Sequence, residues 1–284
     1  MRRILLWSAA LAIMVASALF QSATGPTYPK SGRAEIAGRS LDYVLLRTHG
    51  GEEDQPAFVP FPGEGIEGRV EWRRHSVDEA WARAPMHFEP DFRVYLGRGK
   101  YAEGPMLVGY LPHQPPAGKL DYRIVLEAGD ERVLVPSEGA VVTRFKGAVP
   151  AWFLAPHIIL MFFGLLLSTR AGLESLSPAG QPRTMALWAF GLLFVGGMIL
   201  GPVVQHYAFG AFWTGVPFGW DLTDNKTLIF VLAWAWAFWK GRDGRDNRVA
   251  IIVASAVTLA VYLIPHSVLG SELDYSTLEA EVMR

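Results

Sequence analysis

Three histidines lie close to the ends of long apolar segments of the chain: His157, His206 and His266. A neutral imidazole can bind heme iron, copper or zinc. Ionisable side chains within a membrane are costly and are typical of functional sites. The three rings could therefore form one set of ligands. The alternative is that each ring lies by itself at a membrane interface, where amphipathic rings are stable.

The most unusual loop of the chain follows His206. It combines three aromatic residues with three charged residues: Trp213, Phe218, Trp220, Asp221, Asp224 and Lys226. The rings could wall a flat cofactor, while an acidic residue of the loop could orient a ligand or hold a cation such as Lys226. The alternative is a purely structural role, in which Thr223 or Asp224 caps the helix that follows.

Five apolar segments could hold these residues in a bilayer: 4–20, 151–168, 185–207, 222–239 and 249–264. At about 1.5 Å per residue they can cross a hydrocarbon core of about 30 Å, the last only just. The first follows Arg2 and Arg3 and is typical of an uncleaved signal anchor. A cleaved signal peptide is the alternative, with Ala16-Ser17-Ala18 as its cleavage site. The anchor would give five transmembrane helices.

The basic residues of the short loops predict the orientation. Arg170 and Arg183 follow the second segment, and a second basic group follows the fourth segment: Lys240, Arg242, Arg245 and Arg248. Such loops face the cytoplasm. We therefore expect a protein of the bacterial inner (cytoplasmic) membrane with a cytoplasmic N-terminus. The residues between the first two segments, the loop 213–226 and the C-terminus would then be periplasmic.

Between residues 25 and 147 the pattern changes to short β-rich stretches separated by turn residues: 40–48, 68–74, 92–96, 105–111, 119–127, 131–136 and 140–145. Seven short strands are typical of an antiparallel sandwich of immunoglobulin or fibronectin III type, and the lack of cysteine favours the latter. The histidines of this region have no metal-ligand spacing: His49, His75, His87 and His113. We expect the domain to bind a protein partner.

The predicted organisation is therefore a signal anchor or signal peptide (1–24), an extracytoplasmic β-sandwich domain (25–147), a four-helix transmembrane domain (148–270) and an extracytoplasmic tail (271–284). A net charge of −1 gives no indication of a nucleic-acid partner. The absence of cysteine excludes disulfides, thiolate metal sites and covalent heme attachment. No nucleophile elbow, phosphate-binding glycine loop or His-Glu-x-x-His motif predicts an enzymatic reaction.

From residue 151 to 266 the chain resembles the tryptophan-rich (WWD) heme-handling membrane proteins of cytochrome c maturation. In that family an external aromatic loop lies between two helices, and external histidines on flanking helices ligate heme. Here Trp213-Thr214-Gly215 and Phe218-Gly219-Trp220-Asp221 correspond to the family's Trp-Gly-x-x-Trp-x-Trp-Asp, with Phe218 in place of the middle tryptophan. The resemblance implies that His157 and His266 ligate heme.

Two functions are consistent with these features. In the first, a site at the outer membrane face binds heme b, or else copper or zinc, for electron transfer or cofactor handling, with His157 and His266 as axial ligands and His206 as an alternative ligand. In the second, the protein is a non-catalytic assembly or accessory subunit of a cell-envelope complex, and its β domain binds an envelope or membrane protein. A transporter has less support, because the sequence shows no central charge pair and no interrupted inverted repeat.

Overall fold

The computed structural model describes residues 1–25, 27–97, 99–265, 270 and 272–275. They form two compact units. The helical unit contains residues 1–25 and 149–265, and the β unit contains residues 27–148 with 272–275.

The helical unit consists of six α-helices and one π-helical segment in its described residues. These are α1 (Arg2–Thr24), α2 (Ala151–Ser175), α3 (Arg183–Leu193), the π-helical segment (Phe194–Leu200), α4 (Gly201–Phe209), α5 (Leu222–Lys240) and α6 (Arg248–Leu263). A short 3-10 helix, Arg242–Gly244, lies between the last two.

Three stretches of this described part are long and apolar enough to cross a membrane: Arg2–Thr24, Ala151–Ser175 and Arg183–Phe209. The third joins α3, the π-helical segment and α4 into one continuous span. The helix α6 is apolar but shorter, and α5 carries Asp224 and Lys226 near its start. The helical unit is thus suited to a lipid bilayer.

Small residues allow the helices to pack closely. A Cβ added to Gly197 would lie 3.0 Å from the Phe230 ring and 3.0 Å from the Thr227 methyl carbon on α5. A Cβ on Gly164 would lie 2.7 Å from the Leu193 side chain. Close approach at small residues replaces the hydrophobic driving force that helices lack in lipid. Gly197 therefore serves contacts within this chain.

The β unit contains eleven strands in its described residues: β1 (Lys30–Ile36), β2 (Arg39–Leu45), β3 (Thr48–Gly50), β4 (Gln55–Pro60), β5 (Glu67–Arg74), β6 (Ala82–Pro85), β7 (His87–Gly97), β8 (Lys100–Leu111), β9 (Lys119–Ala128), β10 (Glu131–Val135) and β11 (Val141–Lys146). The strands form a six-stranded sheet, β3-β11-β9-β5-β6 with β10 beside β9, a three-stranded sheet, β4-β8-β7, and a β1-β2 hairpin. Only β3 and β11 pair in parallel among these strands.

The sheets contribute to one apolar core. Tyr122 and Ile124 of β9 and Leu111 of β8 are fully or almost fully buried in it. The Tyr122 hydroxyl donates a hydrogen bond of 2.8 Å to the Leu46 carbonyl, which satisfies the one polar group of its side chain. The seven strands expected from the sequence are present, and β9 and β10 form a hairpin in which Ala128 pairs with Glu131.

Four further strands were not predicted, each for a local reason. The strand β1 is largely polar and exposed, whereas β3 and β6 have three and four residues. The strand β4 contains Pro56 and Pro60. Proline is usually restricted to the edges of sheets, and β4 is indeed at the edge of its sheet.

Gly109 offers a test of how tightly the sheets pack. A Cβ at this position would lie 2.9 Å from the Met86 side chain and 3.0 Å from the Val70 side chain. We expect Gly109→Ala to lower the free energy of unfolding by roughly 1–3 kcal/mol, because overpacking forces the neighbours to move. Chemical denaturation followed by circular dichroism would measure this. Gly50→Ala is the control, since its nearest new contact is the flexible Lys146 side chain at 3.4 Å. Equal stability of the two variants would contradict the prediction.

Candidate functional site at the α4–α5 loop

The loop between α4 and α5 holds four of the nine residues that the sequence singled out, and Asp224 and Lys226 follow it near the start of α5. It begins at Gly210, which ends α4 in a left-handed conformation (φ 82°) that glycine adopts without strain. It ends at Asp221, whose side chain accepts hydrogen bonds from Thr223 N at 2.7 Å and Asp224 N at 3.3 Å. Asp221 therefore caps α5. The suggestion that Thr223 or Asp224 is the cap was wrong, because both already lie within the helix.

Asp224 fixes the course of the loop. It is only 4% exposed. Its Oδ2 accepts hydrogen bonds from Thr214 N at 2.6 Å, Gly215 N at 3.0 Å and Gln205 Nε2 at 3.0 Å. A Cβ on Gly215 would lie 2.6 Å from the Asp224 Cβ, so a larger residue would displace the backbone from the carboxylate. One buried carboxylate thus joins α4, the loop and α5.

Asn225 forms a further hydrogen bond between α5 and the loop, next to those of Asp224. Its Oδ1 accepts a hydrogen bond of 2.8 Å from Val216 N. Together, Asp224 and Asn225 satisfy three consecutive backbone donors, Thr214 to Val216. Backbone donors that receive acceptors in this way are held in one conformation.

Lys226 links α5 to the end of α6. It is 5% exposed, and its ammonium group donates to the carbonyl oxygens of Ile264 at 2.9 Å and Pro265 at 3.3 Å. These carbonyls follow Leu263, the last residue of α6. A cation is favourable at a helix C-terminus, where carbonyl groups lack helical partners. His266 comes next in sequence but lies outside the described residues.

The aromatic residues of the loop differ in exposure. Trp213 is half-buried, and its indole N–H donates to the Val216 carbonyl at 3.2 Å. This hydrogen bond stabilises the loop. Phe218 and Trp220 are 82% and 84% exposed. They present flat apolar surfaces to the surroundings of the helical unit.

The two described histidines of the candidate set have different environments. His206 is exposed, and its ring stacks on Phe212 with centroids 4.1 Å apart and planes within 1° of parallel. His157 is half-buried, and its Nδ1 donates to the Gly196 carbonyl at 2.8 Å. That carbonyl also accepts from Gly201 N, an i to i−5 bond of the π-helical segment. A neutral imidazole that donates from Nδ1 keeps its lone pair on Nε2.

The structure thus unites part of the predicted site. It joins Asp224 to the loop, places Asp221 at the start of α5 and directs Lys226 to the end of α6. Among the described residues it forms no group of three or more His, Asp or Glu side chains suited to a metal ion. Gln205 also belongs to this network, and its signal in the sequence is an amide side chain within an apolar segment, next to His206.

Removal of the Asp224 carboxylate should loosen the loop. We expect Asp224→Ala to cost roughly 2–3 kcal/mol, because it leaves buried backbone donors without an acceptor. Asp224→Asn keeps one acceptor oxygen and should cost less. Thermal unfolding in detergent, together with the rate of proteolytic cleavage within residues 210–221, would measure both effects. Asp243→Asn, at an exposed acid elsewhere in the unit, is the control, because asparagine tolerates the left-handed backbone of that position (φ 60°) better than alanine does. Unchanged cleavage in Asp224→Ala would show that the loop does not depend on this carboxylate.

Comparisons of the chain with protein-family models, with curated proteins and with solved structures found no match.

Proposed function

We propose that the protein is a non-catalytic assembly or accessory subunit of a cell-envelope complex. In this role the helical unit holds the chain in the lipid bilayer, and the β unit, which we interpret as a fibronectin III-like or immunoglobulin-like sandwich, binds a protein partner. Three charged residues at the end of the α4–α5 loop and the start of α5 support this role, because Asp221, Asp224 and Lys226 each bind the chain's own backbone.

The observation that carries the proposal is an exposed aromatic cluster on the β7–β8 hairpin. Tyr95 and Tyr101 pair across the strands, are 55% and 48% exposed, and have ring centroids 5.2 Å apart. The Arg93 guanidinium lies 4.5 Å from the centre of the Tyr101 ring. Tyrosine and arginine are enriched at protein interfaces and at their energetic hot spots.

The cluster is also ordered before any partner binds. The Tyr95 hydroxyl accepts a hydrogen bond of 3.2 Å from Gly99 N, and β7 forms one edge of its sheet. A side chain that is already held in place loses little conformational entropy on binding. Tyr95 and Tyr101 therefore form a preorganised surface for a protein partner.

The proposed orientation rests on the basic loops. Arg170 lies near the end of α2 and Arg183 begins α3, while Lys240 ends α5 and Arg248 begins α6. By the positive-inside rule these ends face the cytoplasm, which puts the opposite ends and the β unit in the periplasm. The membrane in this proposal is the bacterial inner membrane.

Partner recovery from native membranes tests the accessory role. We expect the double variant Tyr95→Ala, Tyr101→Ala to reduce recovery of a specific membrane or envelope protein at least tenfold, since ten-fold corresponds to about 1.4 kcal/mol and a hot-spot tyrosine contributes that much. Quantitative mass spectrometry after crosslinking and purification of the full chain provides the measurement. The matched control is Tyr110→Ala, an exposed tyrosine on the same strand, about 30 Å from Tyr101 along the chain. Equal recovery of the partner with the wild type, the double variant and the Tyr110→Ala control would contradict the proposal.

Heme binding is the second candidate function, and the hydrogen bond of His157 favours it. Histidines that ligate metals commonly donate one ring N–H to a backbone carbonyl, which orients the ring and leaves the other nitrogen for the metal. The bond from His157 Nδ1 to Gly196 has this form, and π-helical segments are frequent at functional sites. Heme b, or else copper or zinc, would then be held by His157 with His266 or His206.

An absorption spectrum of the detergent-purified protein tests this second function. We expect a Soret band in the wild-type protein that is lost in His157→Ala and in His266→Ala. His87→Ala, which changes an exposed histidine of the β unit, should leave the band intact. Metal analysis of the same samples separates heme from copper or zinc. A wild-type protein purified from heme-replete cells without a Soret band or bound metal would reject the candidate.

A further inference from the structure

The segment Glu272 to Tyr275 packs against the β unit although it follows the last helix in sequence. Leu273 N donates a hydrogen bond of 3.2 Å to the Ala117 carbonyl. The segment lies beside the turn that precedes β9 and the loop that follows β5. We call these four residues the tail segment.

Tyr275 is the deepest anchor of the tail segment. It is 7% exposed, and its hydroxyl both accepts from Lys119 N and donates to the Lys119 carbonyl, each at 3.0 Å. A Cβ on Gly118 would lie 3.1 Å from this hydroxyl, so the absence of a side chain lets the phenol reach the backbone. The Arg74 guanidinium lies 5.3 Å from the centre of the ring, within the range of a cation–π contact.

Glu272 is the second anchor. Its Oε2 lies 3.0 Å from the Lys119 ammonium group, whose side chain is only 15% exposed. Burial alone would raise the pKa of Glu272, but the hydrogen bond and the charge of Lys119 lower it, and Ser76 and His75 act in the same direction. The β unit thus supplies hydrogen-bond donors and positive charge to the Glu272 carboxylate.

The tail segment lies in a cleft formed by residues 74–78 and 117–119 of the β unit. A space of about 560 Å³ remains beside it, lined by residues 74–78 and by the tail segment itself. The β unit contacts two side chains of the tail segment, an acidic residue and, three positions later, a tyrosine. Both anchors bind through Lys119, one at its side chain and the other at its backbone. This is the pattern of a site for a short peptide, with a charge contact, a ring contact and a backbone hydrogen bond.

We propose that this cleft is a recognition site for a protein segment of the form Glu-x-x-Tyr, and that the chain's own tail segment occupies it as an intramolecular competitor. The proposal deepens the proposed partner-binding function and rests on it. A tethered ligand acts at an effective concentration on the order of millimolar. A tail segment with an intrinsic Kd of about 10–100 µM would therefore weaken the binding of a free partner segment to the cleft by roughly 10- to 100-fold.

Peptide binding to the full-length protein in detergent tests the proposal. The probe is a fluorescent synthetic peptide with the sequence of residues 270–277. We expect the variant Glu272→Gln, Tyr275→Ala, which frees the cleft, to bind it about 10- to 100-fold more tightly than the wild type in fluorescence anisotropy. Addition of Lys119→Ala to this variant should weaken binding at least tenfold, whereas addition of Lys146→Ala, at an exposed lysine of β11, should not. A control peptide with the same two replacements should not bind.

Absence of binding to the freed variant, or equal binding to the wild type, would overturn the proposal. A second measurement covers the case in which the freed variant does not fold. Because the chain has no cysteine, Asp274→Cys accepts a single spin label. We expect the label to be immobile in the wild-type background and mobile in Lys119→Ala or with excess peptide. A label that is mobile in the wild-type background, or immobile in every condition, would also reject the proposal. If the peptide does not bind but partner recovery still depends on Tyr95 and Tyr101, the peptide site is rejected and the accessory role is retained.

Discussion

The buried carboxylate of Asp224 is the interaction on which the α4–α5 loop depends. Removing a charge from water is costly unless donors replace the lost hydration. Asp224 receives them from the backbone of Thr214 and Gly215 and from Gln205 on α4. Because the donors belong to the loop and the preceding helix while the acceptor belongs to α5, one residue sets the position of three segments. Phe218 and Trp220 lie in the loop that this residue holds, and both are exposed.

The sequence identifies these polar residues as unusual but cannot assign their partners. Polar residues beside an apolar segment indicate either a structural network or a ligand site, and the two share the same residue types. The spacing of Asp221 and Asp224 fits a cap for either residue. The choice depends on where the chain turns into the helix, and Asp221 has the non-helical conformation of the cap (φ −52°, ψ 118°). The contact of Lys226 with Ile264 joins residues 38 positions apart, which no local pattern predicts.

In the β unit, too, the sequence predicts local patterns but not the contacts that depend on tertiary structure. Regular alternation revealed β9 and β10, because inward and outward residues alternate along a strand. The strand β7 was expected only at 92–96, yet it covers His87–Gly97. A bulge between Glu89 and Phe92, around Pro90, shifts the register and interrupts the alternation. The segment Glu272 to Tyr275 could not be placed from sequence, since its contacts with Lys119 depend on tertiary structure.

Exposed aromatic side chains occur in both units, but their surroundings give them different roles. Phe218 and Trp220 follow α4, the end of an apolar stretch long enough to span a membrane. Rings at such a position are stable at the lipid interface and need no protein partner. Tyr95 and Tyr101 lie beside Arg93 and Glu103, both well exposed, on a strand hairpin of the β unit. Apolar rings among water-exposed charges gain most from burial against another protein, because the charges can stay hydrated at the rim. The hairpin is therefore the stronger candidate for specific recognition, and the loop for contact with lipid.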